Sequence, residues 1–443
     1  MLVKFLAWLA PVLFVSLLTS TACAEDNNGP REVDIVKVDN VYQLRVEGQP
    51  FEVRGVGGSP IGSMDLLVAI GGNSVRTWNT SKADQLLAEA KKHGVMVALG
   101  FDTDKELHGF DYNDEAAVAE QFEAFKTAVQ TYKDHPNLLA WVVANEPNLL
   151  MGEDGSPQDV NPKVYAAIND MIEYIHQHDP NHPVTYTFAG ASEQHIKTAL
   201  QYTPDVDFIS VQLYGDVGSL PEIIEGHNID KPYMVTEYGA IGHWERPATE
   251  WGREIEEPSG EKARTMALRM RDAFAGNPTG KVIGSYAFLW GQKQERTPTW
   301  YGMFNADGKP NARIDELSHF WTGQYPDNRA PLAADIRLNG KLATDSVYLK
   351  PGQRVEADVA VQDPDGDPID YQWELLKEVK TRSQGGAFEQ KPATVPLQVI
   401  EQGSGRLVFT APIAEGDYRL YSYTYDGKGK VGNANFPFYV KLN

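Results

Sequence analysis

The sequence predicts a (β/α)8 barrel followed by an all-β sandwich of the immunoglobulin type. Eight strand-like segments alternate with segments of helical period over about 270 residues, and this order and size match a closed TIM barrel. Beyond residue 325, short strand-like segments follow one another without helical segments between them. An open, doubly wound sheet is the alternative for the first region. The glycines at 55–58 and 71–72 lack the spacing of a phosphate-binding loop, so nucleotide binding has little support.

Length and charge limit the classes of function. The chain has 443 residues, enough for about two or three domains, and its formal net charge is −21. This charge repels phosphate backbones and anionic membrane surfaces, so we expect no nucleic-acid partner. A neutral or cationic partner is favoured instead, and a solvated acidic surface is the commoner explanation of such a charge.

The N-terminus has the features of an export signal. Residues 1–18 hold one lysine followed by an apolar stretch, and the only cysteine of the chain, Cys23, comes soon after. That placement resembles a bacterial lipoprotein processing site, and simple cleavage within residues 22–24 is the alternative. We assign residues 1–23 to the signal and 24–30 to a polar tether. We therefore expect an exported protein, either an outer-membrane lipoprotein or a periplasmic or extracellular protein, with a lipid on Cys23 as its only membrane contact.

The barrel region begins with a hairpin. Segments 33–38 and 42–46 alternate apolar and polar residues around Asp39-Asn40. The eight candidate barrel strands are 51–55, 74–78, 95–101, 138–145, 183–188, 207–213, 233–237 and 282–289.

Apolar stripes with helical spacing separate several of these strands. They indicate helix surfaces that face the core, and we expect no cofactor from them. The stripes are Ala83, Leu86, Leu87 and Ala90; Val118, Phe122, Phe125, Val129 and Tyr132; Val164, Ile168, Met171, Ile172 and Ile175; and Ala263, Met266, Ala267, Met270 and Phe274.

A turn-rich stretch at 325–331 is typical of a linker. We therefore assign residues 31–325, hairpin included, to the barrel and residues 326–443 to the sandwich. Alternating apolar and polar segments in the second region are 354–361, 371–375 and 418–425.

Three aspartates of the sandwich region stand at alternate positions: Asp363, Asp365 and Asp367. Carboxylate oxygens suit calcium, but the spacing is not that of an EF-hand loop. Asp, Pro and Gly are also the residues that turns require, so a solvated turn is favoured and no metal is expected.

Two glutamates follow buried strands of the predicted barrel. Glu146 comes directly after the fourth strand, and Glu237 ends the seventh. The C-terminal ends of barrel strands converge on one mouth, where active sites lie. Hydrolysis of a glycoside with retention needs two carboxylates about 5–5.5 Å apart, one protonated and one ionised. A single glutamate at a strand end would suggest a salt bridge, whereas this pair predicts a site that cleaves glycosidic bonds.

Several motifs resemble those of clan A retaining β-glycoside hydrolases, notably families two and five. Asn145-Glu146-Pro147 and Glu237-Tyr238-Gly239 look like the signature of the fourth and seventh strands. The resemblance extends to Val75-Arg76-Thr77-Trp78, Gln212-Leu213-Tyr214, Phe288-Leu289-Trp290 and the closing segment 301–310. Gln212 departs from the pattern, since a histidine is usual there in family five and an asparagine is frequent in family two.

The resemblance implies a role for each matching residue. Glu146 would be the acid/base and Glu237 the nucleophile, which Arg76 and the Tyr214 hydroxyl would keep ionised. Asn145 would bind the sugar 2-hydroxyl.

The assignments of Arg76, Trp290 and Asp102 leave alternatives open. Gln212 counts among the substrate-binding residues, and Trp290 would offer its ring face to the sugar. A buried ion pair is the alternative role for Arg76, and core packing is the alternative for Trp290. Asp102 after the third strand either contacts substrate or caps a loop.

Aromatic residues in the loops after the seventh and eighth strands suit stacking on sugar rings, which favours a glycan chain as substrate. They are His243, Trp244, Trp251, Trp300 and Tyr301.

The motifs together favour an exported retaining β-glycosidase that acts on a β-linked polysaccharide or oligosaccharide, with β-glucan types first. A transglycosylase with the same two glutamates is a close alternative. A non-catalytic carbohydrate-binding surface protein is the alternative from another class. Both glutamates and their supporting residues are present, which argues against it.

Overall fold

The computed structural model describes residues 29–152, 156–383 and 386–442. The predicted export signal, Cys23 and all but the last two residues of the tether lie outside these ranges. Within the described residues, no helix is both long and apolar enough to cross a lipid bilayer.

The N-terminal hairpin is a small antiparallel sheet of β1 (Val33–Val38), β2 (Val41–Val46) and β3 (Gln49–Pro50). Asp39 and Asn40 form its turn with φ of 48° and 65°, the left-handed conformation that Asn and Asp adopt most readily. Its backbone bonds to the loops that precede two barrel strands, through Asn181 and Gly280. The hairpin therefore covers the N-terminal end of the barrel, opposite the mouth.

The barrel consists of eight parallel strands, each neighbouring the next, with the eighth pairing with the first. This closed order confirms the predicted (β/α)8 fold and excludes the open sheet. In chain order its elements are β4 (Val53–Gly58), α1 (Met64–Ala69), β5 (Ser74–Arg76), α2 (Ala83–His93), β6 (Met96–Gly100), α3 (Glu115–Tyr132), β7 (Leu138–Asn145), α4 (Lys163–His178), β8 (Val184–Ala189), α5 (Glu193–Tyr202), β9 (Ile209–Gln212), α6 (Leu220–His227), β10 (Tyr233–Gly239), α7 (Ser259–Phe274), β11 (Val282–Trp290) and α8 (Ala312–Thr322).

Local sequence explains where the helices begin and end. The Asp114 carboxylate accepts hydrogen bonds from the first free backbone N–H groups of α3, and Asn311 does the same for α8. Gly94 ends α2 with a φ of 68°, which a residue without a Cβ adopts at little cost. The four predicted apolar stripes lie on α2, α3, α4 and α7, where most of their residues are buried.

The strand that ends before Glu146 is buried along its whole length. All eight residues of β7 are buried, as expected for a parallel strand covered on both faces. The Trp141 indole N–H donates to the Asp179 carboxylate at 2.7 Å, which satisfies its one polar group inside the core.

A sandwich of two sheets follows the barrel, and it confirms the predicted all-β region. One sheet has the order β12-β14-β18-β17 and the other β13-β20-β19-β15-β16. Their pairings are antiparallel except that β13 runs parallel to β20. The strands are β12 (Leu332–Leu338), β13 (Tyr348–Leu349), β14 (Arg354–Gln362), β15 (Asp370–Lys377), β16 (Thr394–Val395), β17 (Gln398–Gly403), β18 (Arg406–Thr410), β19 (Gly416–Tyr425) and β20 (Val431–Val440).

The sandwich packs against the barrel through buried polar groups. The Asn435 amide donates to Glu256 on the barrel at 2.5 Å, and Glu256 also pairs with the buried Lys262. Arg419 of β19 donates to the backbone carbonyl of Glu254 at 2.9 Å. Because these groups are buried, each needs its partner across the interface, which fixes how the two regions meet.

The three aspartates of the sandwich lie in a turn and can bring their carboxylate oxygens within 4.8 Å of one another. Asp363 accepts hydrogen bonds from the backbone N–H groups of Asp365 and Asp367. Asp367 pairs with Lys428 at 2.7 Å, and Asp365 accepts from the backbone of Arg329. The hydrogen bonds to Asp363 stabilise the turn itself, and the bond from Arg329 joins the turn to the linker.

Candidate active site

A cleft of about 830 Å³ opens at the C-terminal ends of the barrel strands. Glu146 and Glu237 both line it, as do Asn145, Gln212 and Tyr214. The closed barrel therefore brings five of the seven predicted site residues to one cleft.

Glu237 lies within β10 and is 5% exposed. Arg76, the last residue of β5, donates to its Oε1 at 2.6 Å, and the Tyr214 hydroxyl donates to its Oε2 at 2.7 Å. The Trp78 indole N–H also donates to Oε1, at 2.6 Å. Three donors, one of them a cation, stabilise the ionised carboxylate. Burial and the adjacent Glu237 charge raise the pKa of Tyr214 well above its usual value, so its hydroxyl keeps the proton that it donates.

Glu146 follows β7 with a φ of 52°, in the left-handed region that few non-glycine residues adopt. Its backbone N–H donates to the carbonyl and hydroxyl of Thr187 on β8, both at 3.0 Å, and these bonds hold the conformation. Among the described residues, no side chain donates a hydrogen bond to its carboxylate. Burial, followed by repulsion from Glu237, raises the pKa of Glu146 to about 7. It can therefore hold a proton near neutral pH.

Hydrogen bonds to its amide oxygen fix the orientation of the Asn145 side chain. Arg76 donates to that oxygen at 2.5 Å, Gln212 at 2.7 Å and the Thr187 hydroxyl at 3.2 Å. With three donors on the oxygen, the amide NH2 is the group left to donate to a ligand in the cleft. Gln212 thus reaches the cleft and also acts through Asn145, a role that the sequence did not indicate.

Arg76 is fully buried and does not line the cleft itself. It bridges Glu237 and Asn145, so the ion pair considered for it is present and joins two predicted site residues. Its guanidinium lies 4.6 Å from the Trp78 ring, a cation–π contact.

Trp290 is where the structure differs from the predicted site. Its ring packs on Phe304 with centroids 5.0 Å apart, and its indole N–H donates to Ser63 at 2.9 Å. Trp290 is 4% exposed and belongs to the barrel core, which agrees with the packing alternative. Phe288, two residues earlier, lines the cleft between Trp78 and Tyr301.

The aromatic loop residues divide into two groups. His243, Trp244 and Tyr301 line the cleft, and Trp244 is 61% exposed there. Trp300 is buried, and Trp251 packs on tyrosines of the sandwich. Tyr301 is only 1% exposed, so Trp244 is the member of the first group with the most surface to offer a sugar.

Asp102 lines the cleft as well, and burial raises its pKa.

The sequence did not identify Trp78 as a hydrogen-bond donor to Glu237. Its position two residues beyond Arg76 at a strand end was the available signal.

Close packing beside Glu237 explains the glycine of its motif. A Cβ at Gly239 would lie 2.4 Å from the Phe288 carbonyl oxygen on the neighbouring strand β11. Only glycine allows β10 and β11 to approach this closely, which sets the distance between Glu237 and the Phe288 wall.

Comparison with known proteins agrees with this geometry. Residues 64–247 match the family model described as "Glycosyl hydrolases family 2, TIM barrel domain". The barrel is therefore similar to the TIM barrel domain of that family. The predicted resemblance to clan A glycoside hydrolases is thereby confirmed.

Curated proteins that are similar to this chain include two kinds of enzyme. A probable mannan endo-1,4-beta-mannosidase C of Aspergillus terreus is 30% identical over 156 residues, which cover 30% of this chain and 38% of that protein. A beta-glucuronidase of Paenibacillus borealis is 24% identical over 296 residues, covering 59% of this chain and 46% of that protein. The chain thus spans less than half the length of either relative.

Among solved structures, beta-glucuronidase 2 of Bacteroides uniformis is similar in fold. The TM-score is 0.51 at 14% sequence identity, covering 93% of this chain and 48% of that one. This likeness concerns the fold alone.

Proposed function

We propose that the protein is a retaining β-glycoside hydrolase that acts on a β-linked polysaccharide or oligosaccharide. The observation that carries the proposal is the pair of glutamates with opposite surroundings. Glu237 accepts three hydrogen bonds, one of them from an arginine, whereas the pKa of Glu146 is raised to about 7. Double displacement needs one ionised carboxylate and one protonated carboxyl in the same cleft.

In the first step, Glu146 gives its proton to the glycosidic oxygen while Glu237 attacks the anomeric carbon. The bond from that carbon to the leaving oxygen breaks as the bond to the Glu237 carboxylate forms. In the second step, a water molecule loses a proton to Glu146 and attacks the same carbon, which releases Glu237. Glu146 ends protonated and Glu237 ionised, so both residues return to their starting states.

The Asn145 amide NH2 supports these steps by donating to a sugar hydroxyl. Its oxygen is held by Arg76 and Gln212, so the amide does not need to reorient when charge develops on the sugar. Arg76 donates hydrogen bonds to both Asn145 and Glu237. These bonds fix the position of the nucleophile relative to the sugar-binding amide.

The charge of the cleft favours a neutral sugar. Seven acidic side chains line it, against three side chains of lysine or arginine. Two of the three cations are already paired, Lys293 with Glu295 at 2.7 Å and Arg296 with Glu389 at 3.2 Å. A glucan or mannan type of chain suits such a surface better than a uronic acid.

A panel of soluble glycans with product sizing tests this proposal. The panel contains mixed-linkage β-glucan, galactomannan, glucuronoxylan and aryl β-glycosides, including an aryl β-glucuronide. We expect hydrolysis of at least one neutral β-linked glycan and loss of that activity in Glu237→Gln. Products longer than the substrate would indicate glycosyl transfer to a sugar. Inactivity across the whole panel, with glycan binding retained, would favour the non-catalytic alternative.

We also propose that the protein is exported, with Cys23 as a lipid attachment site. The apolar segment 1–18 followed by the only cysteine supports this. Metabolic labelling with a radioactive fatty acid tests it, because Cys23→Ala should abolish the label. A labelled Cys23→Ala protein would contradict the assignment.

A further inference from the structure

The sandwich contributes to the cleft that holds the two glutamates. Ser383, Gly386 and Ala387 belong to the sandwich, and they line the same cleft as Glu146 and Glu237. One wall of the cleft is therefore built from a part of the chain that lies outside the barrel and outside the matched family model at 64–247.

This wall depends on one buried carboxylate. The Glu389 side chain has no exposed surface. Its Oε2 accepts from the Ser383 backbone N–H at 3.0 Å and from Arg296 at 3.2 Å, and its Oε1 accepts from the Gln294 amide at 3.1 Å. A buried carboxylate is costly without donors, and here the donors come from both the sandwich and the barrel. Glu389 therefore ties the loop after β11 to the sandwich.

Arg296 is the cleft-lining residue that Glu389 holds. Its backbone has a φ of 60°, and its side chain is 10% exposed. The guanidinium also donates to the Ser383 carbonyl at 3.1 Å and lies 3.4 Å from the Glu254 carboxylate. A residue in this backbone conformation persists because the surrounding contacts fix it.

Lys293 lies beside the same wall. A Cβ placed on Gly386 would be 3.3 Å from the Lys293 ammonium nitrogen, so the two residues are close neighbours. Lys293 pairs with Glu295 at 2.7 Å, and both line the cleft. The sandwich thus bonds to the barrel loop at Arg296 and lies near it at Lys293.

We propose that the sandwich completes the glycan-binding cleft, with Glu389 as the positioning residue that holds Arg296 in the wall where a β-linked glycan lies. The ligand class is the β-linked glycan of the proposed function, on which this inference rests. Arg296 and Lys293 contact sugar hydroxyls, whereas Glu389 acts only through Arg296 and Ser383.

Binding to polysaccharide is measured in an inactive Glu237→Gln background, by electrophoresis in native gels that contain galactomannan, mixed-linkage β-glucan or glucuronoxylan. We expect Glu389→Gln and Arg296→Ala each to weaken binding about 5- to 10-fold. The double variant should bind no more weakly than Arg296→Ala alone, because both changes remove the same contact. Glu401→Gln, an exposed change on β17, is the matched control and should bind like the parent.

Kinetics in the active background separate positioning from general destabilisation. We expect Glu389→Gln to raise the KM for the polysaccharide more than it lowers kcat. Thermal unfolding identifies any variant that fails to fold. For that case Ser383→Ala, which removes only a hydroxyl at 3.3 Å from Glu389, serves as the milder variant and should also raise KM.

The outcomes distinguish this inference from the proposed function. If the wild type hydrolyses a panel glycan but folded Glu389→Gln and Arg296→Ala bind it as tightly as the parent, the wall proposal is wrong and the function stands. If the wild type hydrolyses nothing but polysaccharide binding depends on Glu389 and Arg296, the function fails and the wall proposal stands. If the Glu237→Gln parent binds none of the three polysaccharides, the wall proposal is also wrong.

Discussion

The ends of the fourth and seventh barrel strands, β7 and β10, present the same side chain in different surroundings. Glu237 is buried and accepts from Arg76, Trp78 and Tyr214. Glu146 is partly exposed to the cleft, and among the described residues no side chain donates to its carboxylate. The fold supplies matching positions at the two strand ends, whereas the hydrogen-bond donors of neighbouring strands distinguish the two carboxylates.

The largest expected effect comes from removing the ionised member of the pair. Glu237→Gln should lower kcat about 10,000-fold or more, because the amide cannot form the glycosyl intermediate. The measurement is release of an aryl group from the best aryl β-glycoside of the panel. A variant within 10-fold of the wild type would remove Glu237 from the role of nucleophile.

Removing the protonated member should have a smaller effect that depends on the leaving group. Glu146→Gln should lower kcat about 100- to 1,000-fold for a glycan, whose leaving oxygen needs a proton. For the first step with a dinitrophenyl glycoside, whose leaving group departs without protonation, the loss should be under 10-fold. Equal losses with both substrates would contradict the assignment of Glu146 as the acid.

The pH profile tests the same contrast without a change at Glu237. Glu146 must hold its proton, and its pKa is raised to about 7, so kcat/KM should fall as the pH rises through about 7. At pH 9 we expect a loss of about 100-fold relative to the plateau. With the glycan substrate, the residual activity of Glu146→Gln should lack this alkaline limb at about 7. A limb that persists in the variant belongs to another group.

Stability should respond to the same proton with a defined sign. The folded-state pKa of Glu146 lies above that of the unfolded chain, so the folded state binds the proton more tightly and loses stability as the pH rises from about 4.5 to about 7. Glu146→Gln should therefore raise the free energy of unfolding by about 3 kcal/mol at pH 8 and by much less at pH 4. Chemical denaturation at the two pH values measures this difference, and an equal effect at both would contradict the pKa shift.

The smallest of these effects concerns one donor to Glu237. Trp78→Phe keeps a ring beside Arg76 but removes the indole N–H, and we expect kcat/KM to fall about 10-fold because a hydrogen bond to a charged group is lost. Trp290→Phe is the matched control, since its indole N–H donates to Ser63 in the core. If Trp290→Phe costs more activity than Trp78→Phe, Trp290 has the sugar-binding role that the sequence suggested.

Much of this site could be predicted from sequence because barrel geometry depends on strand order. Counting eight strands placed Glu146 and Glu237 after the fourth and within the seventh, and the closed barrel brings those ends to one mouth. The role of Arg76 followed from the resemblance of 75–78 to the second-strand motif of clan A glycoside hydrolases.

Two local details could not be predicted. The alternation of side chains breaks near the end of β11, where the pairing with β4 shifts register between Ala287 and Trp290. A strand that alternates regularly would place Phe288 and Trp290 on the same face, so the sequence could not show that only Phe288 reaches the cleft. The predicted strand 74–78 also extended two residues beyond the end of β5. Trp78 was therefore assigned to a strand, and its hydrogen bond to Glu237 from the following loop was not predicted.

The contribution of the sandwich could not be predicted either. Arg296 and Glu389 lie 93 residues apart and meet only after both regions have folded. No spacing or periodicity marks such a pair in the sequence.

Covalent trapping identifies the residue that attacks the sugar. The protein is inactivated with the 2-deoxy-2-fluoro aryl glycoside of whichever sugar the panel shows to be hydrolysed, then digested and sequenced by mass spectrometry. We predict one fluorosugar on Glu237, with Glu146 unmodified. A fluorosugar on any other residue, or turnover of the inhibitor with inversion at the anomeric carbon, would contradict the account.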